Sequence, residues 1–117
     1  MSHIRPPPQL PWGWRSMWVI AMFDLPTDTP KARKAYSQFR KTLIEDGFTM
    51  MQYSVYSRHC ASIDNAEVHV KRMGDQVPSA GEVRFLTITD RQFGRIKVFV
   101  GKKRQPNVPS PSQLELF

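Results

Sequence analysis

Met17-Trp18-Val19-Ile20-Ala21-Met22-Phe23-Asp24-Leu25-Pro26 is the stretch on which the fold turns. Its first seven residues form an unbroken apolar run with β-branched and aromatic members. The run is short for a helix and stops at Asp24-Leu25-Pro26, so it predicts a strand buried on both faces. Met17, at its head, also offers an alternative start codon.

Downstream, Thr29-Pro30 opens a helix, because Thr is a good N-cap and Pro fits the first helical position. Ala32, Ala35, Tyr36, Phe39 and Leu43 recur at helical spacing and make one apolar face. Gly47 after Asp46 supplies a C-cap. Lys31, Arg33, Lys34, Arg40 and Lys41 project away from that face, which gives the helix a basic outer surface.

Phe48 to Arg58 reads as strand, either one bent strand or two short ones. Met51, Tyr53 and Val55 alternate there with Gln52, Ser54 and Tyr56. Ser62 caps a second helix, whose stripe is Ile63, Ala66, Val70, Met73 and Val77. Glu82 to Thr89 is a strand, residues 90–94 turn the chain, and Arg95 to Val100 alternates again, so the pair predicts a hairpin. The order is strand, helix, strand, helix, strand, strand. It predicts an α+β, ferredoxin-like βαββαβ sandwich, a mainly antiparallel sheet with two helices on one face. A sheet covered on one side leaves a face or edge open, and a homodimer closes it cheaply.

Three segments follow. Residues 1–16 hold four of the ten prolines and read as an irregular arm, pinned by Trp12 and Trp14. Residues 17–100 make the folded domain. Residues 101–117 are a basic, proline-bearing tail whose last residues, Leu114-Glu115-Leu116-Phe117, are apolar enough to dock. A chain of 117 residues suits one domain. With Cys60 as the single cysteine, no internal disulfide can form. No run approaches the roughly 18 apolar residues of a membrane span. The expected setting is cytoplasmic, without a membrane partner.

A net charge of +7 directs attention to polyanions, of which nucleic acid is the commonest in the cytosol. Lys31, Arg33, Lys34, Arg40, Lys41, Arg58, Arg91 and Arg95 are the candidate phosphate contacts, with Lys102-Lys103-Arg104 nearby. The plainer reading is a solvated helix face and a basic tail. No zinc spacing, phosphate-binding glycine loop or nucleophile elbow occurs. Asp24 is the one carboxylate in a suggestive position, at the end of the apolar strand. Hard cations such as Mg²⁺ favour such oxygens. One carboxylate is too few for a phosphodiester-cleaving metal site, but a two-fold dimer would bring a second Asp24. Otherwise Asp24 simply caps the Leu25-Pro26 turn. Tyr53 and Tyr56 could stack on bases, though aromatic strand residues more often pack in the sheet. Met22, Met50 and Met51 read as core. His59 and Cys60 read as structural, and Ser54 as a sheet serine that could support an Asp24 site.

Several strings together resemble one family. They are Trp18 to Pro26 (WVIAMFDLP), Arg33-Lys34-Ala35-Tyr36, Phe39-Arg40-Lys41, Gly47 to Tyr56 (GFTMMQYSVY) and Val83 to Thr89 (VRFLTIT). In this order and at these separations they resemble CRISPR-associated protein two, the small partner of the integrase that captures spacers. The variant Asp24-Leu25-Pro26 and the Arg33-Lys34 pair look most like members from loci with a single RNA-guided effector nuclease. The resemblance implies a ferredoxin-like homodimer, in which a C-terminal strand, here Gln113 to Phe117, crosses to the partner's sheet. It implies that the dimer lies between integrase subunits and holds the middle of a prespacer duplex DNA, with Lys31, Arg33 and Lys34 among its gripping cations. It also implies that Asp24 matches the aspartate credited with Mg²⁺ binding and with endonuclease activity on RNA or DNA. That activity is dispensable for integration in some members. Two other readings compete: a toxin-like metal-dependent ribonuclease, related to virulence-associated protein D, and a non-catalytic ferredoxin-like nucleic-acid-binding module. The second lacks the aromatic platform typical of RNA-recognition sheets.

Overall fold

A computed structural model describes residues 15–101 and 103–107 of the chain. Trp12, Trp14 and the rest of the arm up to residue 14 lie outside the described residues, as do Lys102 and the candidate docking strand at 113–117.

The apolar run forms β1 (Met17–Asp24), followed by α1 (Pro30–Glu45), β2 (Thr49–Gln52), β3 (Val55–Cys60), α2 (Ile63–Gly74) and β4 (Glu82–Thr89). A short helix, α3 (Asp90–Gly94), then leads to β5 (Val98–Val100) and β6 (Lys103–Gln105). The first four strands make one sheet in the order β2-β3-β1-β4, with every neighbour antiparallel. This is the expected βαββαβ, ferredoxin-like arrangement, with β1 in an interior position.

Alternation along β1 divides the molecule into two layers. Met17, Val19, Ala21 and Phe23 face the long helices and pack with Phe39 and Leu43 of α1 and Ala66 and Met73 of α2. Phe39 and Leu43 are fully buried, so Leu43→Ala carries the usual cost of about 2–5 kcal/mol for an emptied core site. Trp18 and Ile20 point the other way and pack against Phe93.

The caps explain why the helices begin and end where they do. Thr29 Oγ1 accepts the Ala32 N–H at 3.0 Å, and Ser62 Oγ accepts that of Asn65 at 3.0 Å. Past the Asp46 C-cap, Gly47 takes φ +95°, which lets its N–H reach the Ile44 carbonyl and that of Phe48 reach Leu43, each at 3.0 Å. That pair of bonds is a Schellman ending, and buried Phe48 against buried Leu43 supplies its apolar contact.

The segment 48–58 is two strands. They are joined at Tyr53-Ser54, where Ser54 sits at φ 62°. The expected hairpin between 82–89 and 95–100 is not formed. Within the described residues β4 pairs with β1, and β5 pairs with β6. The reason is local. Thr89 and Gln92 form a reciprocal capping box that starts α3 and swings Phe93 onto the Trp18 ring, centroids 3.8 Å apart and nearly parallel. Trp18 Nε1 donates to Asp90 Oδ1 at 2.7 Å, which fixes the stack.

Candidate metal and nucleic-acid site

Asp24 ends β1 as an exposed residue. It has the parity of Trp18, Ile20 and Met22, so it belongs to the sheet face that α1 and α2 leave uncovered. Its backbone is held from both sides. Its cross-strand partner is Glu82, and the preceding residue, Phe23, donates its N–H to the Ser54 carbonyl at 3.0 Å. Gly81, at φ +93°, packs so tightly that a Cβ there would lie 2.7 Å from the Asp24 carbonyl oxygen and 2.7 Å from Leu25 Cδ2. Buried Leu25 anchors the outgoing chain.

Sequence reasoning missed Glu82. Directly opposed residues of an antiparallel pair share a face, so two carboxylates stand together at this sheet end. Glu82 Oε1 also accepts from Arg84 at 3.2 and 3.3 Å. Only the strand register, a non-local property, brings Glu82 to Asp24. Among the described residues no three acidic, histidine or cysteine side chains cluster as a cation site. The oxygen donors suit Mg²⁺ chemically, but one chain brings two carboxylates here, and a Mg²⁺ ion would need further oxygen donors to complete its coordination.

The basic candidates separate into groups. Lys31, Arg33, Lys34, Arg40 and Lys41 are all exposed on α1. Arg33 donates to the Thr27 carbonyl at 3.1 Å and Arg40 Nε to the Tyr56 hydroxyl at 2.7 Å, which orients both. Arg91 and Arg95 are exposed on and just after α3, in the layer across the sheet from α1. Arg58 is half-buried, and its Nε and Nη1 donate to the Asp46 and His59 carbonyls at 2.7 Å each, where they help finish α1. Five of the candidate cations thus share the exposed surface of α1, whereas Arg58 is taken up at the end of that helix and Arg91 and Arg95 lie in the other layer.

Other expectations need correction. Tyr56 is buried in the sheet, but Tyr53 is 75% exposed at the β2–β3 turn and stacks on Tyr36. The Tyr36 hydroxyl pushes the Tyr53 phenol up from its ordinary value. Ser54 is a turn residue whose Oγ shares a 2.8 Å hydrogen bond with the Tyr36 hydroxyl. Met22 packs against the Trp18 cluster as expected, whereas Met50 and Met51 are exposed because β2 is a sheet edge. His59 is exposed and meets Trp18 edge-on at 5.2 Å, while Cys60 is buried. Burial pushes the Cys60 thiol up, partly offset by Arg58. Another buried group escaped the sequence reading: His69 Nδ1 lies 2.7 Å from Asp46 Oδ2, and Arg72 donates to Asp46 Oδ1 at 2.6 Å.

No helix among the described residues is long and apolar enough to cross a membrane.

Comparison with known proteins adds a consistent finding. The family model described as CRISPR associated protein Cas2 matches residues 17–96. A protein named CRISPR-associated endoribonuclease Cas2 from Parvibaculum lavamentivorans is 85% identical over 101 residues, which is 86% of this chain and all of the relative. Proteins of the same name from Flavobacterium psychrophilum and Paracidovorax avenae are 50% and 40% identical. These alignments cover 89% and 90% of this chain, and 90% and 97% of the relatives.

Proposed function

The chain belongs to the CRISPR-associated protein Cas2 family, and from that premise we propose that it serves spacer acquisition as a homodimer that binds prespacer duplex DNA and bridges integrase subunits. We also propose a Mg²⁺-dependent endonuclease site built on Asp24 of both subunits. The observation that carries the reading is the position of Asp24 at the end of an interior strand, on the uncovered sheet face, with the exposed cations of α1 following a few residues later.

Each part has its physical support. On the uncovered face Leu86, opposite Ile20, is 47% exposed, so a second copy would remove apolar surface from water there. Two copies related by a two-fold axis through that face would set Asp24 near Asp24. The α1 cations would grip phosphates irrespective of base sequence, as a bridging subunit that must accept any spacer requires. Bound Mg²⁺ would supply charge stabilisation for phosphodiester hydrolysis. Within the chain, Asp24 and Glu82 provide oxygen donors and Arg84 orients Glu82. The name endoribonuclease, borne by the relatives, favours RNA as the cleaved substrate, alongside duplex DNA as the bound one.

The test is duplex binding across a salt series, for the wild type and for Arg33→Glu with Lys34→Glu. The double variant should bind more weakly on every sequence, and its slope of log affinity against log salt should be shallower by about 2, near 0.9 per lost contact. An unchanged slope removes α1 as the phosphate surface.

A further inference from the structure

A series of aromatic rings runs from the core to the surface and ends in an open face. Phe39 meets Phe23 edge-on at 5.3 Å, Phe23 leans on Tyr36 at 5.7 Å, and Tyr36 stacks on Tyr53 at 6.0 Å with the planes 20° apart. Phe39 and Phe23 are buried, Tyr36 is half-buried, and Tyr53 is exposed. Tyr53 therefore has one ring face backed by protein and the other in solvent.

The turn that holds it there is unusual. Ser54 lies in the left-handed region, which is uncommon for a residue with a Cβ. Two bonds hold it: its carbonyl accepts the Phe23 N–H at 3.0 Å, and its Oγ pairs with the Tyr36 hydroxyl at 2.8 Å. Strained backbone that its surroundings over-determine is found preferentially at functional sites. Here its effect is to set the Tyr53 ring against Tyr36.

The location is as informative as the geometry. Phe23, which Ser54 holds, immediately precedes Asp24, so the ring sits at the same sheet end as that carboxylate. On α1, Arg33 lies three residues before Tyr36 and Arg40 four residues after it, so both cations border the Tyr36 position. An exposed aromatic ring next to a helix that carries cations is an arrangement by which single-stranded nucleic acid is held without sequence preference.

We infer that Tyr53, backed by Tyr36, is a stacking platform for one unpaired nucleobase, beside the phosphodiester at the Asp24 end of the sheet. The inference rests on the nucleic-acid reading above and deepens it. The ligand is an unpaired nucleotide, in RNA or DNA, because every base offers a π-face while a base inside a duplex has both faces covered by its stacked neighbours. Duplex binding is left to the α1 cations.

The experiment uses the full chain in EDTA, so that nothing is cleaved. The probes are single-stranded RNA and DNA carrying a fluorescent adenine analogue that is quenched on stacking, and a blunt DNA duplex. Tyr53→Ala should abolish the quenching and weaken single-strand binding about tenfold. Tyr53→Phe should keep both, and duplex affinity should be the same for all three proteins. Tyr53 is exposed, so matching thermal melts check that the variants fold. An effect confined to RNA or to DNA supports the platform and identifies the sugar it accepts. The platform is overturned if Tyr53→Ala quenches and binds like the wild type, or loses duplex and single-strand affinity by the same factor. Wild-type duplex binding without single-strand quenching overturns the platform alone. A wild type that binds neither probe overturns the nucleic-acid reading with it.

Discussion

Asp24 and Glu82 stand directly opposite one another where the β1–β4 ladder ends. Like charges in that relationship repel and cost stability, by about 0.2–1 kcal/mol, and a cation between them relieves the cost. In EDTA, Asp24→Asn should therefore melt no lower than the wild type. Added Mg²⁺ should raise the melting temperature of the wild type and not that of the variant. Any Mg²⁺-dependent cleavage should disappear with Asp24→Asn. An equal Mg²⁺ response in both proteins excludes Asp24 as a metal ligand.

Gly81→Ala should disturb the same carboxylate from behind. The new methyl would meet the Asp24 carbonyl at 2.7 Å, on a residue already at φ +93°. The strain is expected to cost about 1–3 kcal/mol. Chemical denaturation reads the loss of stability, and the Mg²⁺-induced rise in melting temperature should shrink with it. A variant with wild-type stability and metal response shows that this close approach does not position Asp24.

Asp46 ties three elements together. Its carboxylate receives His69 and Arg72 of α2, and its carbonyl receives Arg58 of β3. Asp46→Ala leaves the buried His69 ring nitrogen without a partner and should cost about 1–3 kcal/mol in a urea titration. Arg72→Ala removes a half-exposed partner and should cost under about 1 kcal/mol. Equal costs for the two would show that the His69 contact contributes nothing.

How much of this was legible beforehand can be judged residue by residue. Phe39, Leu43, Ala66 and Met73 were readable as core because burial repeats with the period of the helix that carries it, and Val19 because it lies inside an unbroken apolar run. Glu82 beside Asp24 was not, since register between strands far apart in sequence has no local signal. The same holds for the contact between Asp46 and His69, 23 residues apart. Thr89-Asp90-Arg91-Gln92 did carry a local signal, a capping box, but the alternation of Ile96, Val98 and Val100 pointed to a hairpin instead. Met50 and Met51 looked like core, and Tyr53 like a residue packed in the sheet. Their exposure follows from an edge strand and a left-handed turn that composition does not reveal.

Cys60 should be inert to alkylation in the native state. It is 1% exposed, and burial raises its thiol above the ordinary range. For a group whose native value is raised, the associated stability is fully present below the unfolded thiol value. It is lost as pH rises through the native one. Stability should thus fall on the alkaline side from this residue, and Cys60→Ala should flatten that part of the profile. Rapid labelling by iodoacetamide without denaturant would contradict the buried placement.

The most direct test of the central claim is reconstituted integration of a prespacer duplex into a repeat array by the cognate integrase subunit, with and without this chain. Integration should require the chain and should be reduced by Arg33→Glu with Lys34→Glu. Integration at an equal rate without the chain would contradict the assignment to spacer acquisition.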